Sequence, residues 1–598
     1  MTSNSNGQTA SSALSRYNAF LLLVAGLGGL LYGIDVGIIG SAYPYLEATS
    51  GLQPAQLSVI VAAVLLGSVL STLFAGLLAD FIGRKPLMIL SGIAFSLSIP
   101  IIALSQTYTT LFLGRLLQGV SGGFVGVVVP LYLAECLPAT NRGRGTAIFQ
   151  WLLTLGIVVA AFVGIYFSYR VDAVAHTMSP QALLDYKNIA WRSIFWVSLP
   201  PGLIFIAGSF FVSESPRWLF SKGRRDAALI ALQRSRPAEQ AALELDEMNR
   251  AANSTPDSAT ANSSDSLLRR KYIVPFLLAC IILVCNQTTG INSIIGYNTG
   301  ILLQSGLSDL AAHWGYVIFT IVNFLLTIVG MMLVDRKGRK FLLTIGSGGV
   351  IFSTILVGLL FRSNENAIID VRSVVQSSVG AGNELNLAFD RAAAQRLLAS
   401  AGQSAAQIDP ARVSLTIIYS YGDFTSTTNT ARSDAPGATS IHIDRAGSIP
   451  ANTIESLFKN PMADLPAARV APLAIQRAAL APIPGASHGW LVAGALFLFM
   501  AFFAMGPGVC VWLALSELMP TRIRSNGMSI ALVFNQLAAT MLATIFLPFV
   551  GKHGYSSIFF LFAGCTVVYF ITAAFFLPET KGKTLEEIEA HFEGIGTA

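Results

Sequence analysis

The sequence predicts an all-α membrane protein with twelve transmembrane helices arranged as two related halves. Three observations carry the prediction. Apolar side chains make up 53% of the chain and charged ones only 12%, with a mean hydropathy of +0.62, a balance foreign to soluble domains. Segments of about 20 apolar residues, enough to cross roughly 30 Å of hydrocarbon as a helix, recur twelve times. Short charged motifs between those segments return in the same order in the second half, the mark of an internal repeat.

In the first half the spans are expected at 18–41, 57–79, 86–105, 110–136, 146–168 and 190–212. In the second they fall at 272–303, 312–334, 341–361, 489–516, 526–550 and 555–577. The polar start lacks a basic region and the apolar segment behind it is too long for a cleavable signal, so that segment is kept as the first span. Arg84, Lys85, Arg142, Arg144, Arg336 to Lys340, Arg522 and Arg524 crowd the short loops on one side, while 42–56 and 304–311 hold no Lys or Arg. This asymmetry puts both termini in the cytoplasm. The net charge of +6 therefore reflects membrane topology, and no basic patch with interleaved aromatics points to nucleic acid. The five cysteines lie within or at the edge of spans and give neither a disulfide framework nor metal-ligand spacing.

The repeat is explicit. DFIGRK (Asp80, Gly83, Arg84, Lys85) follows span two and DRKGRK (Asp335, Gly338, Arg339, Lys340) follows span eight. ECLPATNR, with Glu135 and Arg142, ends span four; ELMPTRIR, with Glu517 and Arg524, ends span ten. Spans six and twelve exit through SESPR (Glu214, Arg217) and PETKG (Glu579). The first pair stands 255 residues apart (80 to 335) and the second 382 apart (135 to 517), and the polar block 362–488 accounts for the difference.

The domains expected are thus a bundle at 1–213, amphipathic cytoplasmic helices and a linker at 214–270, the second bundle in two parts at 271–361 and 489–577, the insertion 362–488 between them, and a tail at 578–598. Long translocated loops escape the charge rule, so the basic residues of the insertion are compatible with an extracytoplasmic position. Inside it, FDRAAAQRLLASAGQSA reads as a helix and VSLTIIYSY as a strand, which gives a small, partly ordered lobe; a tolerated loop is the alternative. No N-x-[ST] site falls inside it, in keeping with a bacterial inner membrane.

GRLLQGVSGGFVGVVVPLYLAE, SESPRWL, NQTTGINSIIGYN, DRKGRK, GPGVCVWLALSELMP and LPETKGKTLEEI together resemble the sugar porter family of the major facilitator superfamily, over nearly the whole chain except the insertion. The resemblance implies the major facilitator fold: two six-helix bundles around a central site that opens alternately to each side.

The loop motifs place Asp80, Glu135, Glu214, Asp335, Glu517 and Glu579 at helix ends beside Arg84, Arg142, Arg217, Arg339 and Arg524. Each exposed bridge is worth roughly 0 to 1 kcal/mol, but several that form only when the cytoplasmic side is shut bias a two-state equilibrium together. We read them as a cytoplasmic gate latch.

Substrate chemistry needs hydrogen-bonding groups inside the bundle. Gln150, Asn286, Gln287, Asn292, Asn323 and Asn535 supply neutral amides, which suit a polyhydroxylated ligand; Gln536 is the amide most readily spared. On an unbroken helix Gln287 and Asn292 point about 140° apart, so Gly290 between them is expected to break span seven and turn both inward. Trp512 follows Gly506, Pro507 and Gly508, where span ten is expected to kink, and its indole can stack on a sugar ring. Tyr32 and Tyr297 are further candidate walls. By resemblance, Gln150, Gln287, Asn292, Asn323, Trp512 and Asn535 stand at family sugar contacts. Asn286 departs from a common glutamine, and Val509, Cys510 and Val511 replace prolines common in animal facilitators.

Asp35 is the anomaly of span one. A charge at a helix centre costs roughly 2.5 to 3.5 kcal/mol even on insertion scales, so it must face the interior with a partner or a proton. Arg115, opening span four, is that partner; rocking of the bundles would separate the two and let Asp35 take a proton. In the family, an Asp at this place is similar to that of proton symporters, an uncharged residue to that of facilitators.

The expectation is a proton-coupled importer of a monosaccharide, hexose or pentose, working as a monomer in the lipid bilayer without cofactor or metal. A passive facilitator and a non-transporting sugar sensor are the alternatives. No nucleophile and base pair or phosphate loop suggests an enzyme.

Overall fold

The computed structural model describes residues 3–175, 177–253, 270–401, 408–435, 437–453, 456, 460, 463–519, 523–581, 583, 587, 588 and 592, without the side chains at 3–13, 139–144, 146, 251–253, 335, 512–516 and 524–526. Among them, twelve helices are long and apolar enough to cross a membrane. Spans 1 to 6 are Leu14–Thr49, Pro54–Ile82, Arg84–Ala103, Tyr108–Cys136, Ala147–Ala175 and Pro180–Phe211. Spans 7 to 12 are Arg270–Gly296, Asp309–Val334, Arg339–Glu365, Ala486–Val511, Gly527–His553 and Tyr555–Phe576. Hydropathy located every one and trimmed most of them, because helices run on past the apolar stretch: span 6 begins ten residues before the expected 190, at a Pro180 capped by Ser179.

Turns between spans are tight where glycine allows it. Gly83 (φ 104°) and Gly338 (φ 89°) each end one helix and start the next, so spans 2 and 3, and spans 8 and 9, are joined through a single residue. Gly554 (φ 85°) joins spans 11 and 12 likewise. Positive φ at these joints is open to glycine and would strain any other residue by about 1 to 3 kcal/mol. Helices also approach closely through small residues: a Cβ on Gly119 of span 4 would lie 1.9 Å from the Val64 carbonyl oxygen of span 2.

Two spans break. Span 7 is Arg270–Thr288, Ile291–Gly296 and a continuing Asn298–Gln304, with Gly290 in the left-handed region (φ 85°, ψ 9°) at the first break. Span 10 is Ala486–Met505 followed by Pro507–Leu518, with Gly506 between them. Short helices Pro216–Ser221, Arg225–Gln233 and Ala238–Asn253 pack on the first half, where Arg236 Nη2 donates to the Cys136 carbonyl at 2.9 Å and Asn18 Nδ2 to that of Ser235 at 2.8 Å.

The insertion is a folded lobe, not a loose loop. Its strands are β1 (Ile369–Asp370), β2 (Leu385–Phe389), β3 (Val413–Tyr421), β4 (Phe424–Thr427), β5 (Ala431–Arg432), β6 (Thr439–Ile443) and β7 (Leu473–Pro482). An antiparallel sheet runs β1-β7-β3-β4, with β5 also on β3, and β2 pairs with β6. The expected strand VSLTIIYSY is β3, and the expected helix is Arg391–Ser400, capped by Asp390. Leu397, Leu398, Leu415, Ile417 and Ile475 pack in a core separate from those of the bundles, which is why the block folds as a unit.

Candidate functional site

The repeated motifs expected to form a latch build two charge clusters of the same plan, at the end of each half opposite the lobe. In the first half Arg84 clasps Glu135 with Nε and Nη2 at 2.9 and 3.0 Å, meets Asp80 at 2.9 Å, and donates from Nη1 to the Ala79 carbonyl at 2.9 Å. Ser215 adds a hydroxyl donor to Glu135. Glu214 accepts from the backbone N–H of Arg84 and Lys85 at 3.1 and 3.2 Å, capping span 3 under Gly83. In the second half Arg339 meets Glu517 at 3.0 Å, the Thr580 hydroxyl donates to Glu517 at 2.5 Å, and Glu579 accepts from the N–H of Arg339 and Lys340 at 3.1 and 3.2 Å under Gly338.

The expected roles change in two respects. Glu214 and Glu579 act as helix caps on the following span rather than as ion-pair partners, and exposed Arg217 makes no ion pair among the described residues, because Glu214 turns away toward Gly83. Each latch also lies within one half, since the motif residues that meet come from spans of the same bundle. Burial raises the Glu214 carboxyl above its ordinary range, against the pull of N–H bonds from Ser215, Lys85 and Arg84.

Asp35 and Arg115 face each other inside the first half, each 1% exposed, with Nη1 and Oδ1 4.0 Å apart. That is contact without a hydrogen bond, looser than the expected bridge. Neither Asp35 oxygen has a hydrogen-bond donor among the described residues. Arg115 instead donates to Gln118 Oε1 at 2.6 Å and lies over the Phe195 ring at 5.6 Å. A Cβ on Gly122 would stand 3.0 Å from Asp35 Oδ2 and 3.2 Å from the Tyr32 ring, so Tyr32 walls the acid. Tyr32 also has the side chains of Ser68 and Gln536 within reach; Gln536, the amide set aside on sequence, is the one that reaches the ring beside Asp35.

The second half gathers the amides at the break in span 7. Asn292 Nδ2 donates to Gln287 Oε1 at 2.7 Å, Gln287 Nε2 to Asn535 Oδ1 at 3.1 Å, and Asn535 Nδ2 to the Leu283 carbonyl at 2.8 Å. The left-handed Gly290 is what brings Gln287 and Asn292 to one side. Among the described residues Asn292 Oδ1 accepts nothing, Gln150 is half-buried without a partner, and Asn323 engages only the Thr327 hydroxyl at 3.5 Å. These amides keep unspent hydrogen-bonding capacity among the described residues.

Asn286 and Tyr297 do not join that set. Asn286 Nδ2 donates to the Pro507 carbonyl at 3.2 Å, tying the two broken spans together. Tyr297 is sealed, its ring stacked 4.5 Å from Phe546 and edge-on to Tyr43 at 5.2 Å, its hydroxyl donating to the Ala543 carbonyl. One residue's difference in helical phase decides between joining the amide cluster, as Gln287 does, and facing the neighbouring span, as Asn286 does, and periodicity alone cannot resolve it. The side chains of Arg142, Asp335, Trp512 and Arg524 lie outside the described residues.

Sequence reasoning did not single out the seal between the halves. Hydrogen bonds that cross it between described residues lie toward the lobe: Tyr316 OH to the Gly37 carbonyl at 2.8 Å, Thr299 Oγ1 to that of Gly40 at 2.5 Å, and Tyr45 OH and Ser168 Oγ to Asp309 Oδ2 at 2.8 and 2.7 Å. These hydrogen bonds join the halves on the lobe side of Asp35 and of the amides, and the Trp151–Phe324 stack at 5.4 Å joins spans 5 and 8 beside Gln150 and Asn323.

A family profile described as sugar (and other) transporter matches residues 21–377 and 472–592, omitting most of the lobe. The glucose transporter GlcP of Staphylococcus epidermidis is 25% identical over 576 residues, covering 96% of this chain and 97% of its own. The proton myo-inositol cotransporter of Homo sapiens is 27% identical over 587 residues, covering 96% and 82%. Among solved structures, the partially occluded inward-open form of the xylose transporter XylE from E. coli superposes with a TM-score of 0.62 at 18% identity, over 95% of this chain and 100% of its own. That last likeness speaks to the fold. With the profile running through both copies of the latch and all twelve spans, the chain is an integral membrane protein that belongs to the sugar porter family of the major facilitator superfamily.

Proposed function

We propose that this transporter carries a monosaccharide, hexose or pentose, by proton symport, with the lobe outside and both termini in the cytoplasm. The observation that carries the reading is the Asp35–Arg115 pair: two charges 1% exposed, 4.0 Å apart, with no hydrogen bond to the acid. A buried ion pair of that geometry is a poor stabiliser, since desolvation offsets most of the attraction. It suits a group whose charge is neutralised alternately by a guanidinium and by a proton. Relatives named as a glucose transporter and as a proton myo-inositol cotransporter support both halves of the reading.

The sugar is held by Gln150, Gln287, Asn292, Asn323 and Asn535 between the halves, and the lobe-side seal opens and closes over it while the charge clusters keep the helix ends of each half together. A proton moving down about 100 mV supplies about 2.3 kcal/mol, close to fiftyfold accumulation at one-to-one coupling. The test is uptake of radiolabelled glucose, xylose and myo-inositol into proteoliposomes under an imposed pH gradient. The native chain is expected to accumulate one of them uphill, and Asp35→Asn only to equilibrate it. Uphill accumulation by Asp35→Asn would remove Asp35 from coupling; downhill flux alone in both proteins would make this a facilitator.

A further inference from the structure

Between the lobe and the lobe-side ends of the spans lies a cleft of about 240 Å³. We infer that this cleft is a second, outer binding site for the transported polyol, filled before the seal opens; the inference rests on the transport reading above. Three bodies build it. Tyr43 and Glu47 come from span 1, Gly300 and Tyr555 from the second half, and Thr416 and Arg477 from the sheet of the lobe. Its floor is the seal itself, because Tyr43 is the ring that meets Tyr297 edge-on and Gly300 packs against Tyr43. A solute in the cleft is one aromatic layer away from the span 7 segment that carries Asn292.

The lining chemistry selects the ligand. Glu47 carries a carboxylate with the Tyr43 hydroxyl in reach and no cation paired to it among the described residues. Arg477 is exposed on β7 and likewise without an ion pair there. A carboxylate that accepts from two neighbouring hydroxyls and a guanidinium that donates to them, over a floor closed by aromatic rings, together fit an uncharged polyol. The volume lies below the roughly 300–1,000 Å³ of drug-sized pockets, which favours one sugar ring over an oligosaccharide.

The lobe is fixed over this floor from both halves. Gln53, at the start of span 2, donates through Nε2 to Tyr419 OH at 3.1 Å and to the Gly447 carbonyl at 2.8 Å, and Asn429 Nδ2 donates to the Leu52 carbonyl at 3.0 Å. Arg432, oriented by Asp434 at 2.8 Å, reaches the Leu303 carbonyl in the second half at 2.8 Å. The roof of the cleft is therefore anchored while the seal is shut.

The test counts sites by equilibrium binding of radiolabelled glucose, xylose and myo-inositol to the purified full chain, for the native protein, Gln287→Ala, and Glu47→Gln with Arg477→Ala. Two sites per chain are expected in the native protein, one in each variant, and a rise of about threefold or more in the KM of uptake for the cleft variant. The central site retained by that variant doubles as proof that it is folded. A single native site lost in Gln287→Ala, or a second site that survives the cleft substitutions, overturns the outer site and leaves the transport reading intact. Absence of any binding or uptake of the three probes by the native chain defeats the transport reading itself, and the outer site with it.

Discussion

Spans 1 and 4 of the first half run unbroken past Asp35 and Arg115, whereas spans 7 and 10, their counterparts in the repeat, break at Gly290 and Gly506. The difference follows from what each pair of helices holds. Asp35 and Arg115 stand 4.0 Å apart on two continuous helices of one half, where their attraction is strong in a low-dielectric interior. Neutral amides lose less when they shift, and a broken helix frees backbone groups that can re-pair; Asn286 already takes the Pro507 carbonyl at the second break. The buried ion pair stands in the unbroken half and most of the amides proposed to meet the sugar stand in the hinged half, with Gln150 of span 5 the exception, the arrangement expected if one half senses the proton and the other follows the sugar.

The comparison breaks most severely at Arg115. Arg115→Met leaves Asp35 buried without its counter-ion, and loss of one partner of a buried pair costs about 3 to 5 kcal/mol. Thermal unfolding in detergent should fall sharply for the single variant and recover in Asp35→Asn with Arg115→Met, which has no charge left to strand. A double variant as unstable as the single would mean that Arg115 acts through its packing on Phe195 and not through charge.

Next in size is the hinge. Gly290→Ala must hold φ 85° and place its methyl 2.4 Å from the Phe562 ring, a strain of about 1 to 3 kcal/mol before any repacking. Turnover is expected to drop at least tenfold. The matching change in the stiff half, Gly122→Ala, meets Asp35 Oδ2 at 3.0 Å and should alter the pH dependence of uptake more than its maximum rate. Equal effects on both measures at both sites would erase the division between the halves.

What the sequence made legible is local. The breaks at Gly290 and Gly506, the strand β3, the helix Arg391–Ser400 and the paired motifs all follow from backbone preference or from short spacing. What it hid depends on partners far along the chain. Glu365 caps span 12 beneath Gly554, accepting from the Ser556 N–H at 3.1 Å, which repeats the plan of Glu214 under Gly83; the lone glycine of KHGY is followed by Tyr555 and not by the Arg-Lys pair of the other two joints, so it carried no motif to reveal it. Tyr297 looked like a sugar wall because an aromatic beside a break is compatible with either role, and only Phe546, nearly 250 positions away, decides between them. Asp35 was conspicuous since polarity inside an apolar run needs no partner to be noticed.

A smaller contrast separates the two latches. Arg84 and Glu135 are each 9% exposed at the side chain, against 14% and 24% for Arg339 and Glu517. Arg84→Ala should therefore cost about 2 to 3 kcal/mol, stranding a Glu135 that only the Ser215 hydroxyl would still satisfy, and Arg339→Ala about 1 kcal/mol. Thermal shifts of equal size would show that burial does not set the strength of these clasps.

The finest distinction lies in how the first latch answers pH. Burial is the largest influence on Glu214 and raises its carboxyl above 4.5, the value it has when unfolded. An acid raised in the folded state binds its proton more tightly there, so its contribution to stability is complete below pH 4.5 and declines as pH climbs through the raised value. Melting temperature should therefore slope downward with rising pH just above 4.5, and Glu214→Gln, which cannot titrate, should flatten that slope. The same substitution at Glu579, whose carboxylate accepts the corresponding N–H bonds of Arg339 and Lys340, gives the control: a slope that flattened equally there would assign the pH response to the shared capping geometry instead of to the deeper setting of the first half.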